Sequence, residues 1–280
     1  MKDYGPELFK GTAQYFSKYR PAYPAELIRW IVNRFELNGK GKLLDLGCGT
    51  GQFTVRFADW FERITGLDNE AEMLQEAHRI TEEMRICNVD WVHGNAENYI
   101  NELKHESFKL VIIAKAFHWM DRARVLELLY PWIEQNGGVA IIDSYTPDRQ
   151  EPTDWQIAVD EVVKKWYGPE RRAGSSTYTH PTVSHEDIVA ASPFEVEVHR
   201  LPIYEHTWTI ESIIGNLYST SYGARRFLGD QAALFEKDLE EALLSLDSSG
   251  KFKAPIHTSI ILAVKNHEAD SPTLPGTAFR

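Results

Sequence analysis

Residues 42–54, "KLLDLGCGTGQFT", are an apolar run that ends in an acid and then places Gly47, Gly49 and Gly51 within five positions. A short continuous apolar run closed by turn residues reads as a strand covered on both faces. Glycine has no Cβ, so the following loop can turn at positive φ and let a ligand lie almost against the main chain. Phosphate-binding versions of such a loop fail on residue identity. A dinucleotide fingerprint needs G-x-G-x-x-G, and Gln52 stands where its third glycine belongs; the Gly-Lys-Ser/Thr of a P-loop is absent. Here Asp45 precedes the glycines, where it repels a pyrophosphate and attracts an ammonium or sulfonium group.

A second acid, Asp68, ends the next strand-like run, "RITGLD". A carboxylate there can accept both hydroxyls of a ribose, although alone it also reads as a helix cap before Asn69-Glu70. The two acids and the glycines together suit a nucleoside with a cationic amino-acid tail, which is S-adenosylmethionine.

Outward from this stretch, strands alternate with helices. Helical patterns at about 8–18 and 24–36 flank "YRPAYP", and "FTVRFADWF" reads as a helix after the glycines. Residues 70–84 put Met73, Leu74, Ala77 and Ile80 on one helical face. "VDWVHG" is a strand, "AENYINEL" a short helix and "FKLVIIAKA" a strand. Asp121 caps a helix over "RARVLELLYPWIEQ", stopped by Gly137-Gly138 before the fifth strand, "VAIID". This rhythm predicts a parallel sheet with helices on both faces.

After Tyr145 the rhythm breaks. A capping box at Thr153–Gln156 opens a helix through Trp166, ended by Gly168-Pro169. The polar loop "ERRAGSSTYTHPT" leads to a short helix capped by Ser184. Then come a strand, "FEVEVHRLPI", helices at about 210–222 and 230–246, and a last strand, "HTSIILAVK". The predicted organisation is a helical cover at 1–40, a main domain at 41–265 with insertions at about 146–192 and 205–250 covering the strand ends, and a mobile tail at 266–280.

The chain has 280 residues, 43% of them hydrophobic and 25% charged, which are ordinary globular values. A net charge of −11 argues against a nucleic-acid backbone as partner. With only Cys48 and Cys87 there is neither a disulfide framework nor a cysteine zinc site, and a reduced cytoplasmic setting is expected. No apolar signal core opens the chain and no stretch is long enough to span a membrane.

The glycine-rich stretch resembles motif I of the class I S-adenosylmethionine-dependent methyltransferases. The similarity continues in the family's order through "ITGLDNEAEMLQEA", "VHGNAENY" and "FKLVIIAKAFHWMD", about half the chain. "YFSKYRPAYP", "AFHWMD" and "HTSIILAVK" look like the small-molecule subgroup that includes trans-aconitate methyltransferase. The resemblance implies an α/β, Rossmann-like seven-stranded sheet, mostly parallel with its last strand antiparallel. It also implies a helical cover built by the N-terminus and by insertions after strands 5 and 6.

Carried over by position, the resemblance sets Gly47, Cys48, Gly49 and Gly51 against the methionine part of the cofactor, with Asp45 ordering that loop or meeting the amino group through water. Asp68 binds the ribose, while Asn69 and Met73 lie beside the adenine. In "GNAE", Asn95 stands where many relatives have Asp, and its amide oxygen can still accept from adenine N6–H; Ala96 and Glu97 follow it in the site. Lys115 and Ala116 present backbone to the cofactor's amino group. Tyr15, Tyr19 and Arg20 form the N-terminal cover, Arg20 pairing the cofactor carboxylate.

On the acceptor side, His118 lines the pocket and is the candidate general base. Trp119 is a pocket wall or a cation–π partner for the sulfonium. Trp155, Tyr222 and Arg225 are candidate substrate contacts, with Phe117 and Trp208 as further contributors to closure. "HED" at 185–187 reads as the first turn of a capped helix, and no metal is expected. The expected activity is methyl transfer to a small-molecule acceptor, at a carboxylate or hydroxyl; methylation of protein, or cofactor binding without catalysis, are the competing readings.

Overall fold

The computed structural model describes residues 4–5, 7–144, 151–179 and 181–266; of the tail expected at 266–280, all but Asn266 lies outside them. Strand β1 (Lys42–Leu46) is buried from its second residue onward. It pairs in parallel with β2 (Arg63–Asp68) on one side and with β4 (Phe108–Ala114) on the other. β3 (Val89–His93) extends the sheet beyond β2, and β5 (Ile133–Asp143) extends it beyond β4.

Further on, β6 (Glu195–Arg200), β7 (Tyr204–Thr209), β8 (Lys251–Ile256) and β9 (Ser259–Val264) complete the strands used below. The main sheet runs β3-β2-β1-β4-β5-β9-β6, with β9 antiparallel to both of its neighbours. This is the seven-stranded, mostly parallel Rossmann-like sheet that the motif order implies.

Side chains alternate across the sheet. Leu110 and Ile112 of β4 face one apolar layer, with α2 (Ala25–Arg34) contributing Leu27, Ile28, Ile31 and Val32. Val111 and Ile113 face the other, where α4 (Ala96–Glu102), α5 (Arg122–Leu129) and α7 (His185–Ala190) pack. A third core holds the cover together. It joins α6 (Asp154–Tyr167), α8 (Ile210–Tyr218) and α9 (Ala232–Leu246) to a separate antiparallel pair, β7–β8.

Four local expectations change. "TVRFADW" winds as a 3-10 stretch over Thr54–Trp60, with Phe53, Phe57 and Phe61 packed in the α2 layer. The helix after Asp121 ends at Leu129, because Pro131 has no N–H to continue the ladder. Ile133 instead pairs with Phe108, so "IEQNGG" belongs to β5. The β7–β8 pair was not expected; its core side is Trp208, Phe252 and Ala254. Finally, α8 stops at Tyr218 rather than 222.

The N-terminal helix α1 (Ala13–Tyr19) reaches the cover by a close approach to Gly215 of α8. A Cβ at 215 would lie 2.2–2.5 Å from ring atoms of Tyr19. Gly215→Ala gains up to about 1 kcal/mol of helix propensity but forces the Tyr19 ring aside, which costs roughly 1–3 kcal/mol. Urea unfolding is expected to show net destabilisation, partly recovered in the Gly215→Ala/Tyr19→Leu double variant; equal or higher stability of the single variant would show that the helices do not meet here.

Candidate active site

A cavity of about 520 Å³ opens where the carboxyl ends of β1, β2, β4 and β5 meet the cover. β1 and β4 are adjacent strands whose following segments leave for opposite faces of the sheet, and such a switch point leaves a crevice. The chain turns out of β1 through Gly47 at φ 74°. A Cβ on Gly47 would stand 2.5 Å from that of Ala116, so only glycine lets the two loops approach this closely.

The glycine loop is held by the neighbouring strand. The N–H groups of Gly47 and Cys48 both donate to Leu67 O, at 2.8 and 3.0 Å. Asp68 then ties the loop to the start of α3 (Ala71–Met84): Oδ2 accepts from Gly49 N–H at 2.8 Å and Oδ1 from Glu70 N–H at 2.9 Å. Burial pushes the Asp68 carboxyl up, opposed by these N–H donors. Gly51 answers to packing instead, since its Cβ would meet the Trp91 ring at 2.4 Å.

Asp45 is 1% exposed. Its Oδ2 accepts from Thr54 Oγ1 at 2.6 Å, and its Oδ1 has no partner among the described residues. Burial pushes its pKa up to about 7, against the Thr54 hydrogen bond and with help from the Asp68 charge.

From the other strands come aromatic and basic groups. His118 and Trp119 occupy a 3-10 turn after β4, with ring centroids 4.6 Å apart. Trp119 meets Tyr4, Tyr178 and Phe9 at 5.2, 5.2 and 5.9 Å. Arg20 is anchored by Nε donating to Ser219 Oγ at 2.8 Å; among the described residues no carboxylate lies within ion-pair distance of it, and burial lowers its pKa. Lys115, at φ 53°, opens its side chain into the cavity and donates to Ser144 Oγ. Its deep setting lowers its pKa, while the nearby Asp143 raises it. Arg171 lies 5.0 Å over the Tyr222 ring.

Of the expected residues, Arg20, Gly47, Gly49 and Asp68 line this cavity, as do Asn69, Met73, Asn95, Ala96 and Glu97 from the β2 and β3 loops. Lys115, Ala116, His118, Trp119 and Tyr222 line it from the other side. Asn95 also caps α4, its Oδ1 accepting from Asn98 N–H at 3.1 Å.

Others are placed elsewhere. Tyr15 and Tyr19 face a groove between α1, α8 and α9, where Tyr19 Oη donates to Glu211 at 2.7 Å. Cys48 is buried behind the loop, its thiol pushed up by burial. Trp155 packs on Phe252 and Trp208 in the cover core, with Nε1 donating to Lys253 O at 3.3 Å. Arg225 pairs with Glu236 at 3.4 Å, and Phe117 is 1% exposed in the sheet core. For Tyr15, Tyr19 and Trp155 the cause is shared: spacing along the chain does not tell which side of a cover helix faces the cavity.

The sequence reading missed Phe9, Phe16, Asp143, Arg171 and Tyr178, all of which line the cavity. An acid ending β5 repeats the pattern of Asp68 ending β2 and was the available signal for Asp143. Tyr178 is an aromatic residue in an otherwise polar loop. That loop is fastened to the N-terminal segment by Ser175 N–H donating to Tyr4 O at 3.1 Å.

The folded pKa of Asp45 lies above its unfolded value, so it favours the fold below about pH 4, and this contribution is lost as pH rises through about 7. The full swing is roughly 4 kcal/mol. Urea unfolding from pH 4.5 to 8 is expected to show a smaller fall in stability for Asp45→Asn than for the parent. Parallel curves would mean that Asp45 ionises normally.

A family model described as a methyltransferase domain matches residues 43–137. The chain is 28% identical over 127 residues to the "Probable S-adenosylmethionine-dependent methyltransferase CRG1" of Saccharomyces cerevisiae, covering 45% of this chain and 43% of that protein. It is 27% identical over 131 residues to the malonyl-[acyl-carrier protein] O-methyltransferase of a Paenibacillus species, covering 44% and 46%. The chain thus spans about half the length of the curated relatives it matches. Among solved structures it is similar to the YcgJ protein of Bacillus subtilis (TM-score 0.54, 16% identity, 87% of this chain and 100% of that one). It is also similar to a SAM-dependent methyltransferase from Geobacter sulfurreducens in complex with S-adenosyl-L-homocysteine (TM-score 0.51, 17% identity, 92% and 97%). At such identities the structural likeness establishes the fold, and the sequence matches name the domain. The methyltransferase-domain pattern thus lies over residues 43–137, from β1 into β5, the same strands whose ends build the cavity.

Proposed function

We propose that the chain transfers the methyl group of S-adenosylmethionine to an oxygen of a small acceptor that carries an anionic group. The observation that carries this reading is the Asp68 bridge. A carboxylate that fastens a glycine turn to the next helix, inside a cavity walled by His118 and Trp119, fits a nucleoside at one wall and a reacting group at the other. The Gly47 cradle suits a ligand pressed against main chain, with the Asp45 carboxyl buried behind it rather than lining the cavity.

The cofactor supplies an electrophilic methyl on a sulfonium. The protein's own work is positioning. Asp68 accepts from the ribose hydroxyls, Asn69, Met73, Asn95, Ala96 and Glu97 surround the base, and Arg20 pairs the tail carboxylate. Holding acceptor, methyl carbon and sulfur in line accounts for roughly 7–11 kcal/mol of barrier lowering. Trp119, Phe9 and Tyr178 keep water out, which favours a step in which sulfur loses its positive charge. His118 receives the proton when the acceptor is a hydroxyl.

Lys115 and Arg171 support the anionic acceptor, as cations facing the cavity of a chain with net charge −11. The likeness to the small-molecule subgroup that includes trans-aconitate methyltransferase, and the O-methyltransferase name of the Paenibacillus relative, point the same way. Nucleic acid is disfavoured by the overall charge. Among the described residues no helix is long and apolar enough to cross a membrane.

Calorimetry with S-adenosylhomocysteine is expected to show binding that Asp68→Ala weakens at least about tenfold, or roughly 1.4 kcal/mol. Labelled cofactor with a panel of hydroxy acids should give labelled small products, and His118→Ala should lower turnover while leaving that affinity nearly unchanged. Equal affinity in the Asp68 variant, label recovered only in protein, or binding without any transfer would each overturn this reading.

A further inference from the structure

His185 does not line the cavity, yet it reaches Asp143, which does. Its Nε2 lies 3.4 Å from Asp143 Oδ2, and its Nδ1 lies 3.0 Å from Arg122 Nη1. Arg122 also donates to Val183 O at 2.8 Å, which fixes the guanidinium between α5 and the loop before α7. Asp143 Oδ1 accepts from Ser144 N–H at 2.7 Å, leaving Oδ2 to the histidines. One ring nitrogen each of His118 and His185 and one carboxylate oxygen of Asp143 all lie within 4.8 Å of one another.

We propose that Arg122, His185 and Asp143 form a positioning chain, from the half-buried seam between α5 and α7 to the cavity wall, that orients His118 and stabilises its protonated form. The chemistry of the donors sets the direction. A guanidinium has donors only, so His185 Nδ1 must accept, and a neutral imidazole then carries its proton on Nε2, facing Asp143. The carboxylate is thereby kept ionised beside His118. Burial alone would raise the Asp143 pKa, but the His185 hydrogen bond, Lys115 and the neighbouring His118 bring it below the usual range. Other titratable groups facing Asp143 are Tyr178 and Tyr23.

The same three side chains have the spacing of a metal site, and the Arg122 contact argues against one. A metal on His185 Nε2 would need that nitrogen's lone pair, placing the proton on Nδ1 against a guanidinium N–H.

The proposal rests on the methyl-transfer reading for its chemical purpose. As the acceptor's oxygen forms its bond to the methyl carbon, the carbon–sulfur bond breaks and its electron pair stays on sulfur. The acceptor O–H bond breaks and the proton passes to His118. The imidazolium so formed faces the Asp143 carboxylate, and positive charge is conserved as it moves from sulfur to ring. Arg122, His185 and Asp143 change no bonds.

Histidine nitrogen NMR on the full chain without cofactor tests this independently of activity. The expected spectrum has neutral His185 protonated on Nε2. In Asp143→Asn the His118 titration midpoint falls by about one unit, the direction for removing a nearby negative charge. His185→Gln, which keeps a donor toward Asp143, should shift His118 less than His185→Leu, and added Mn²⁺ should leave both signals sharp. An unchanged His118 midpoint in Asp143→Asn, a His185 proton on Nδ1, or selective broadening of His118 and His185 by Mn²⁺ would each overturn the proposal. Should Asp143→Asn not fold, the two His185 variants decide it in the same way. With substrate, the acid limb of the kcat profile should move down with His118 while KM holds. Loss of transfer with the NMR pattern intact would count against the function and not the chain.

Discussion

Carboxylates held by backbone N–H groups at the ends of parallel strands are what the site depends on. Strands covered on both faces have no room for polar side chains except at their ends, and Asp68 ends β2 as Asp143 ends β5. Asp68 accepts two N–H groups that no ladder uses, so one side chain fixes the turn after β1 and the start of α3 together. Without it the glycine loop would lose the partner that gives it one shape, because glycine supplies none of its own restraint. The crevice follows from the strand order. β1 and β4 lie side by side, their continuations part, and Gly47 packed against Ala116 forms the floor.

The two walls have different characters. The β1–β2–β3 loops bring Asp68, Asn95 and Glu97, while the β4 and β5 loops and the cover bring Lys115, His118, Arg171 and Tyr222. The second wall is assembled from segments far apart in the chain. Tyr4 meets Trp119, whose other neighbours include Tyr178, and the Tyr178 loop is fastened back to Tyr4. Aromatic edges let these segments meet without a regular element between them.

The sheet was legible because its signals are local and periodic. "KLLDL" and "FKLVIIAKA" are long enough as apolar runs to fix their strands, and Asp45, Gly47 and Asp68 carry the cofactor reading on their identities alone. The limits of that legibility are tertiary. Pro131 stops a helix whose apolar pattern continues, because β5 claims Ile133. "YEHTWT" and "KFKAPI" are weak strands apart and become strands by pairing with each other. Tyr15 and Tyr19 sit on the same short helix as Phe16, which does line the cavity, and the turn of that helix sends them to Tyr218 and Glu211. His185 looked like part of a helix cap because its partners, Arg122 and Asp143, are remote in sequence.

The ionisable groups of this region are pushed toward neutrality in a consistent way. Burial raises Asp45 and Asp68 and lowers Arg20 and Lys115. For Asp68 and Arg20 the charge is costly for want of a counter-charge rather than for want of hydrogen bonds, since both have hydrogen-bond partners. Asp143 is the exception, lowered because His185 and Lys115 face it. A ligand that brings a cation toward the acids and a carboxylate toward Arg20 supplies what the fold lacks, and it does so only in the folded state. The cost of burying these charges is thereby linked to binding. Such a ligand at about 100 times its Kd adds roughly 2.7 kcal/mol to the apparent stability, and a neutral nucleoside at the same concentration, which meets the Asp68 wall alone, adds less because its Kd is higher.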